Sequence, residues 1–250
     1  REAECQNPMK TPRLIFDLKK IEHNARTLKE RLKEQGISIT GVTKVCLGSP
    51  EIARAMTDAG LTSLGDSRIE NIEKLRRAEL SAMLVLIRSP MLSQVHQVVA
   101  LADVSCNTEL KVICSLSLAA QKAKCTHGVI LMVELGDLRE GIMPNDLEDV
   151  VRQTLQFPNI HLLGLGANLA CQSGVAPSEE NMEQLSALAA SVEDNFGIEL
   201  AVVSGGNSGN LEWAFSKLAK GKINNLRLGE ALLLGCETLH RCPIEGMFTD

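Results

Sequence analysis

The sequence predicts an α/β protein of the (β/α)8 TIM-barrel class, and three observations predict it. Short β-rich runs alternate with amphipathic stretches along the chain, the pattern of parallel strands joined by helical crossovers. Eight such runs follow the first helical stretch. The groups able to do chemistry collect at or just beyond the carboxyl ends of many different runs, where barrels build their sites.

Taken in order, the first run, Leu14 to Leu18, has no place in an eight-stranded barrel and is expected to pair elsewhere. A helix is expected from about Lys19 to Gln35, because Ile21, Ala25, Leu28 and Leu32 fall at helical spacing and Gly36 stops it. The strands are then expected at 39–43, 63–65, 83–88, 103–107, 129–135, 161–168, 201–204 and 225–228. Eight strands with intervening helices in roughly 190 residues make a compact barrel beside the usual length of about 250. A doubly wound open sheet is the alternative, but it does not place functional groups at the ends of so many strands. Lys44, Asp66, Arg88, Asn107, Arg139, Asn168, the loop 204–210 and Arg227 all lie at such ends. Residues 1–11 read as a leader or tag, since position 1 is not methionine, and residues 12–242 as the barrel.

Composition narrows the function. The chain has 250 residues, 44% hydrophobic, enough for one large buried core. A net charge of -5 without a Lys/Arg block argues against nucleic acid or an anionic membrane surface as partner. No apolar run reaches the length of a membrane span and the N-terminus lacks the apolar core of a signal peptide, so a cytoplasmic protein acting on a small molecule is expected. The eight cysteines include no CxxC pair and read as buried thiols, and the site calls for no metal.

The apolar walls before Lys44 are expected to desolvate its ammonium, which lowers a lysine pKa and makes the neutral amine available to attack a carbonyl. The loop 204–210 (SGGNSGN) puts three glycines between a strand and a helix, so that backbone N–H groups turn toward a phosphate. Ser204, Asn207 and Ser208 lie in this loop as side-chain donors, and Gly229 with Glu230 brings a second backbone close to the same phosphate. An amine and a phosphate cradle at one barrel mouth specify a ligand with an aldehyde and a phosphate, and pyridoxal 5'-phosphate fits. Arg227 would then face the pyridine nitrogen and Arg139 the phenolic oxygen. An arginine does not readily yield a proton, so it would keep that nitrogen unprotonated and favour prompt reprotonation of a carbanion.

The stretches 41–44 (GVTK), 59–71 (AGLTSLGDSRIEN), 135–142 (LGDLREGI), 167–171 (ANLAC), 203–208 (VSGGNS) and 224–230 (NNLRLGE) together resemble the alanine racemase N-terminal barrel family, and within it the ornithine racemase-like branch. The resemblance covers about residues 12 to 242. It implies a Lys44 Schiff base with pyridoxal phosphate, Lys44 as one catalytic base, and Asn207, Ser208, Gly229 and Glu230 around the phosphate, the last two through backbone. Asn168 falls where many members carry a histidine supporting the pyridine-facing arginine. Met132 falls where some have a modified lysine orienting Arg139, so that support is expected from Glu134 or Asp137. The second base of alanine racemases is a tyrosine from a C-terminal β domain acting across a dimer. This chain has no tyrosine, and Cys171 is the candidate for the second face. Residues 243–250 would begin such a β domain.

The implied function is racemisation of ornithine or another basic amino acid, or of alanine, by a homodimer. Asp66, Glu134, Asp137 or Glu140 would meet a side-chain ammonium. A non-catalytic pyridoxal-phosphate homeostasis protein is the alternative, and a barrel lyase or decarboxylase a third.

Overall fold

In the computed structural model, which describes residues 14–169 and 175–249, the chain leaves an N-terminal helix and winds eight times from strand to helix. The order is α1 (Leu18–Lys33), β1 (Ser38–Val42), α2 (Pro50–Asp58), β2 (Ser63–Asp66), α3 (Ile69–Arg77), β3 (Met83–Leu86), α4 (Val95–Leu101) and β4 (Val104–Asn107). It continues with α5 (Leu110–Ala123), β5 (His127–Val133), α6 (Leu147–Thr154), β6 (Ile160–Ala167), α7 (Glu179–Phe196), β7 (Val202–Ser204), α8 (Leu211–Phe215), β8 (Asn225–Leu228) and α9 (Glu230–Leu234). Every strand is parallel to its neighbours, and β8 returns to pair with β1. The sheet is therefore a closed barrel, and the open-sheet alternative falls.

The run 14–18 does not pair. Leu14 and Ile15 are exposed, and Asp17 instead caps α1 by accepting the backbone N–H groups of Lys19 and Lys20. A closed barrel offers no edge for a ninth strand, so the capping signal wins over the apolar composition. The predicted stripe of Ile21, Ala25, Leu28 and Leu32 is buried against the barrel. Proposed leader residues 1–11 lie outside the described residues. Residues near 245–249 pack on α1: Asn24 exchanges hydrogen bonds with the Phe248 backbone at 2.8 and 2.9 Å.

The barrel interior has two characters. Val85, Val104, Cys106, Ile130 and Met132 form an apolar filling on the β3 to β5 side. Opposite them, Thr40, Ser63, Asn225 and Ser204 form a polar seam, with Asn225 bonded to Ser38, Thr40 and Ser204 at 3.1, 3.2 and 2.7 Å. β7 and β8 share one residue pair, Ser204 with Asn225, and the backbone carries the ladder onward through Gly205 and Gly206. The larger core lies between sheet and helices. No helix among the described residues is long and apolar enough to cross a membrane.

His127, at the start of β5, faces this outer layer and sits 2.8 Å from the Ser105 hydroxyl. Burial pushes its pKa down to about 4, partly offset by Asp103 and a hydrogen bond to the Ala102 backbone. The native state thus holds a neutral imidazole where the unfolded chain, near 6.5, protonates. Stability present above pH 6.5 should therefore fall as the pH drops toward 4, by about 3 kcal/mol from this group. Urea unfolding at several pH values should show that loss in the parent and a flatter profile in His127→Gln.

Candidate active site

The strand ends set the site. Gly41 pairs with Leu228, so β1 and β8 deliver Lys44 and the 229–230 turn to the same mouth side by side. Thr43, fully buried, donates to Asp66 at 2.8 Å, and Asp66 also accepts from the Arg68 backbone and the Asn71 side chain at 3.0 Å each. Asp66 is consumed in fixing the start of α3 and the exit of β1; it does not face the mouth, contrary to the expectation that it might serve a ligand. Lys44 then opens a 3-10 turn, Lys44–Cys46. The expected desolvation of Lys44 does not occur in this chain: Lys44 is exposed, as are its neighbours Val45 and Leu47. β1 ends at Val42, and the 3-10 turn begins at Lys44 itself.

Arg227 is the buried cation described at the site, 6% exposed. It donates to Ser204 Oγ at 2.6 Å, to the Ala167 carbonyl at 2.7 Å and to Asn168 Oδ1 at 2.5 Å. The amide thus supports the arginine as the resemblance implied. Ser204 is spent on Arg227 and Asn225, so it holds the arginine and has no donor left for a ligand. Cys106 lies deeper in the interior; burial pushes its thiol up to about 11, Arg227 lowers it and Glu140 raises it.

The loop after β7 has the form of a cradle. Gly206 adopts φ +141°, and a Cβ there would lie 2.2 Å from Asn210 Oδ1, so only glycine fits. The Asn207 side chain, expected as a phosphate donor, is turned inward: Nδ2 donates to the Leu169 carbonyl at 2.7 Å and Oδ1 accepts from the Gly209 N–H at 2.8 Å. It shapes the loop because a turn this tight must satisfy its own polar groups. Ser208 Oγ accepts the Ala231 N–H at 3.2 Å, which leaves its own proton to be donated. Gly229 approaches β1 so closely that a Cβ would come within 3.2 Å of the Val42 carbonyl. The Glu230 carboxylate turns away to Thr238 and Arg241, leaving the backbone of α9's first turn toward the cradle.

Over the mouth hangs the loop after β5. Glu134 is buried and accepts the N–H groups of Gly136 and Leu138 at 2.6 and 2.9 Å, so it folds the loop and does not orient Arg139. Asp137 lies 3.9 Å from Arg139 Nε, and Glu140 Oε1 accepts from Arg139 at 3.3 Å. The same Glu140 oxygen accepts from Asn168 Nδ2 at 3.1 Å. Arg139, Glu140, Asn168 and Arg227 are therefore linked in one chain of hydrogen bonds. Sequence reasoning treated Glu140 only as a contact for an incoming ammonium; its place between Arg139 and a glycine was the available signal. Asn107 bonds to Ser105 behind the sheet and takes no part. Cys171 lies outside the described residues. Met132 fills the barrel interior, and no group of three metal-ligating side chains exists among the described residues.

The donor set fits a phosphate-bearing aldehyde: an amine from β1, a side-chain-free cradle with a hydroxyl donor after β7, and a buried guanidinium from β8 below it. Gly206→Ala should cost more than about 1 kcal/mol in urea unfolding, since alanine is strained at that φ. It should also weaken pyridoxal phosphate binding at least tenfold in an absorbance titration; unchanged binding would remove the loop from the site.

Residues 16–236 match the family described as alanine racemase, N-terminal domain. Among curated relatives, the ornithine racemase of Acetoanaerobium sticklandii is 35% identical over 96% of this chain and 67% of its own length. The lysine racemase of Thermotoga maritima is 35% identical over 90% of this chain and 62% of its own. The chain thus spans about two thirds of the length of these relatives. Among solved structures, D-threonine aldolase from Filomicrobium marinum superimposes with a TM-score of 0.79 at 19% identity, covering 94% of this chain and 66% of that one, which shows a shared fold. Proteins of this kind are pyridoxal-phosphate dependent, in keeping with the donor set. By the extent of the match and the identity to two curated relatives, the chain belongs to the alanine racemase N-terminal domain family.

Proposed function

We propose that the chain is a pyridoxal-phosphate-dependent racemase of a basic amino acid such as ornithine or lysine. One observation carries the reading: Lys44 just after β1 and the triply bonded Arg227 of the adjacent β8 stand at one mouth, beside a loop whose Gly206 no other residue can replace. The names of the two relatives at 35% identity support the substrate class. When bound, the cofactor supplies an electron sink for the pair left by removal of the α-proton.

In this reading Lys44 would hold the cofactor through its amine, which its exposure at the mouth leaves reachable. As one catalytic base, Lys44 would take or return the α-proton of the substrate on one face. Cys171 holds the proton on the opposite face, so one proton leaves and one arrives with no net change. Arg139 would hold the phenolic oxygen, and Ser208 with the backbone at Gly206, Gly229 and Glu230 would hold the phosphate, while Asn168 and Ser204 hold Arg227. Arg227, a guanidinium that does not readily yield a proton, would meet the ring nitrogen and favour prompt reprotonation. Exposed Val45, Leu47, Met91, Leu138 and Met143, all on loops after strands, support closure of the mouth by a second copy of the chain. The described cysteines are all free thiols, which supports a reducing, cytoplasmic setting.

The purified protein should carry a borohydride-reducible yellow chromophore that Lys44→Ala abolishes. With L-ornithine in deuterated water, it should lose optical rotation as α-deuterium enters. A chromophore without exchange would favour the cofactor-binding protein; no chromophore would sink both readings. Cys171→Ser should lower racemisation at least tenfold with the chromophore intact, and the parent rate in that variant would exclude Cys171 as the second base.

A further inference from the structure

We propose that Glu140 is a positioning residue that holds Arg139 and, through Asn168, Arg227 as one unit across the barrel mouth. The inference rests on the reading of the mouth as the cofactor site. Glu140 Oε1 accepts from Arg139 Nη2 at 3.3 Å and from Asn168 Nδ2 at 3.1 Å, while Asn168 Oδ1 accepts from Arg227 Nη2 at 2.5 Å. The loops after β5 and β6 and strand β8 are thereby joined through one carboxylate.

The loop is built to hold Glu140 there. Gly141, at φ +159°, folds back so closely that a Cβ would lie 2.5 Å from the Glu134 nitrogen. The Glu134 N–H donates to the Ile142 carbonyl at 2.9 Å and the Ile142 N–H to the Met132 carbonyl at 2.8 Å. With Glu134 also accepting the Gly136 and Leu138 N–H groups, the loop is fixed on both sides of Glu140, whose side chain is 28% exposed.

The chemistry of the relay is directional. Arg227 is buried, and the three acceptors named above are neutral: a hydroxyl, a carbonyl and an amide. An amide whose N–H donates to an anion becomes a better acceptor at its oxygen, so Glu140 strengthens the hold of Asn168 on Arg227 without touching it. Met132 brings no polar group to this face, and the carboxylate that orients Arg139 comes from its own loop.

Two consequences separate this role from mere packing. In the cofactor-free protein, Glu140→Gln should move the Asn168 side-chain amide signal in a 15N NMR spectrum, assigned with Asn168→Ala. In the loaded protein, loss of one negative charge beside two guanidiniums should lower the pH midpoint of the Lys44-dependent chromophore by about one unit. Glu140→Ala should do the same, and Glu73→Gln, which removes a carboxylate from the exposed pair with Arg77, should do neither. Glu140→Gln keeps the shape of the residue, so a failure of Glu140→Ala to fold leaves the test intact. An unmoved Asn168 signal together with an unmoved midpoint would overturn the proposal. If the parent forms no chromophore, the racemase reading fails, while the Asn168 signal still decides whether Glu140 is coupled to the relay.

Discussion

A guanidinium buried at the end of β8 governs how the rest of the mouth is arranged. A charge taken out of water must be met by well-placed acceptors, or the fold loses several kcal/mol. Arg227 finds three of them at two neighbouring strand ends: Ser204 at the end of β7, and the Ala167 carbonyl and Asn168 at the end of β6. The polar seam inside the barrel follows from the same demand, since Ser204 needs Asn225, and Asn225 in turn engages Thr40 and Ser38. The apolar filling is displaced to the β3 to β5 side. Charge at one residue thus divides the barrel interior.

Behind the sheet a second set of buried polar groups serves the scaffold. Asp66 aligns Thr43 with the start of α3, and His127 with Ser105 and Asn107 forms a ladder between strands and helices. These residues share strand ends or strand interiors with the site, yet they point the other way. The alternation of side chains along a strand decides the matter: Cys106 faces the interior while Ser105 and Asn107 on either side of it do not.

That alternation also explains what the sequence could and could not reveal. The eight strands and α1 were legible from periodicity, with bounds differing by a few residues, because each apolar run must be buried on the face its period selects. Leu14 to Leu18 misled because composition outweighed the capping aspartate within it. Lys44 was correctly placed at a strand end, but its exposure depends on a 3-10 turn that no local pattern marks. Asn207 has the chemistry of a phosphate donor; its inward turn is set by Leu169, far away in sequence. The link from Glu140 to Asn168 spans 28 positions, a distance over which a single sequence carries no contact information.

One detail of the ladder bears on how a ligand is received. Where β7 ends, Gly205 donates to the Asn225 carbonyl at 2.9 Å and Gly206 accepts from the Arg227 N–H at 2.8 Å. The proposed cradle is therefore also the last rung of the ladder between β7 and β8. A segment that closes the sheet cannot fold over an arriving phosphate in the manner of a lid without breaking the cylinder. Its geometry is set before any ligand arrives, and most of the ordering entropy is spent during folding. Association should then resemble a key entering a finished lock, with adaptation left to the longer loop after β5.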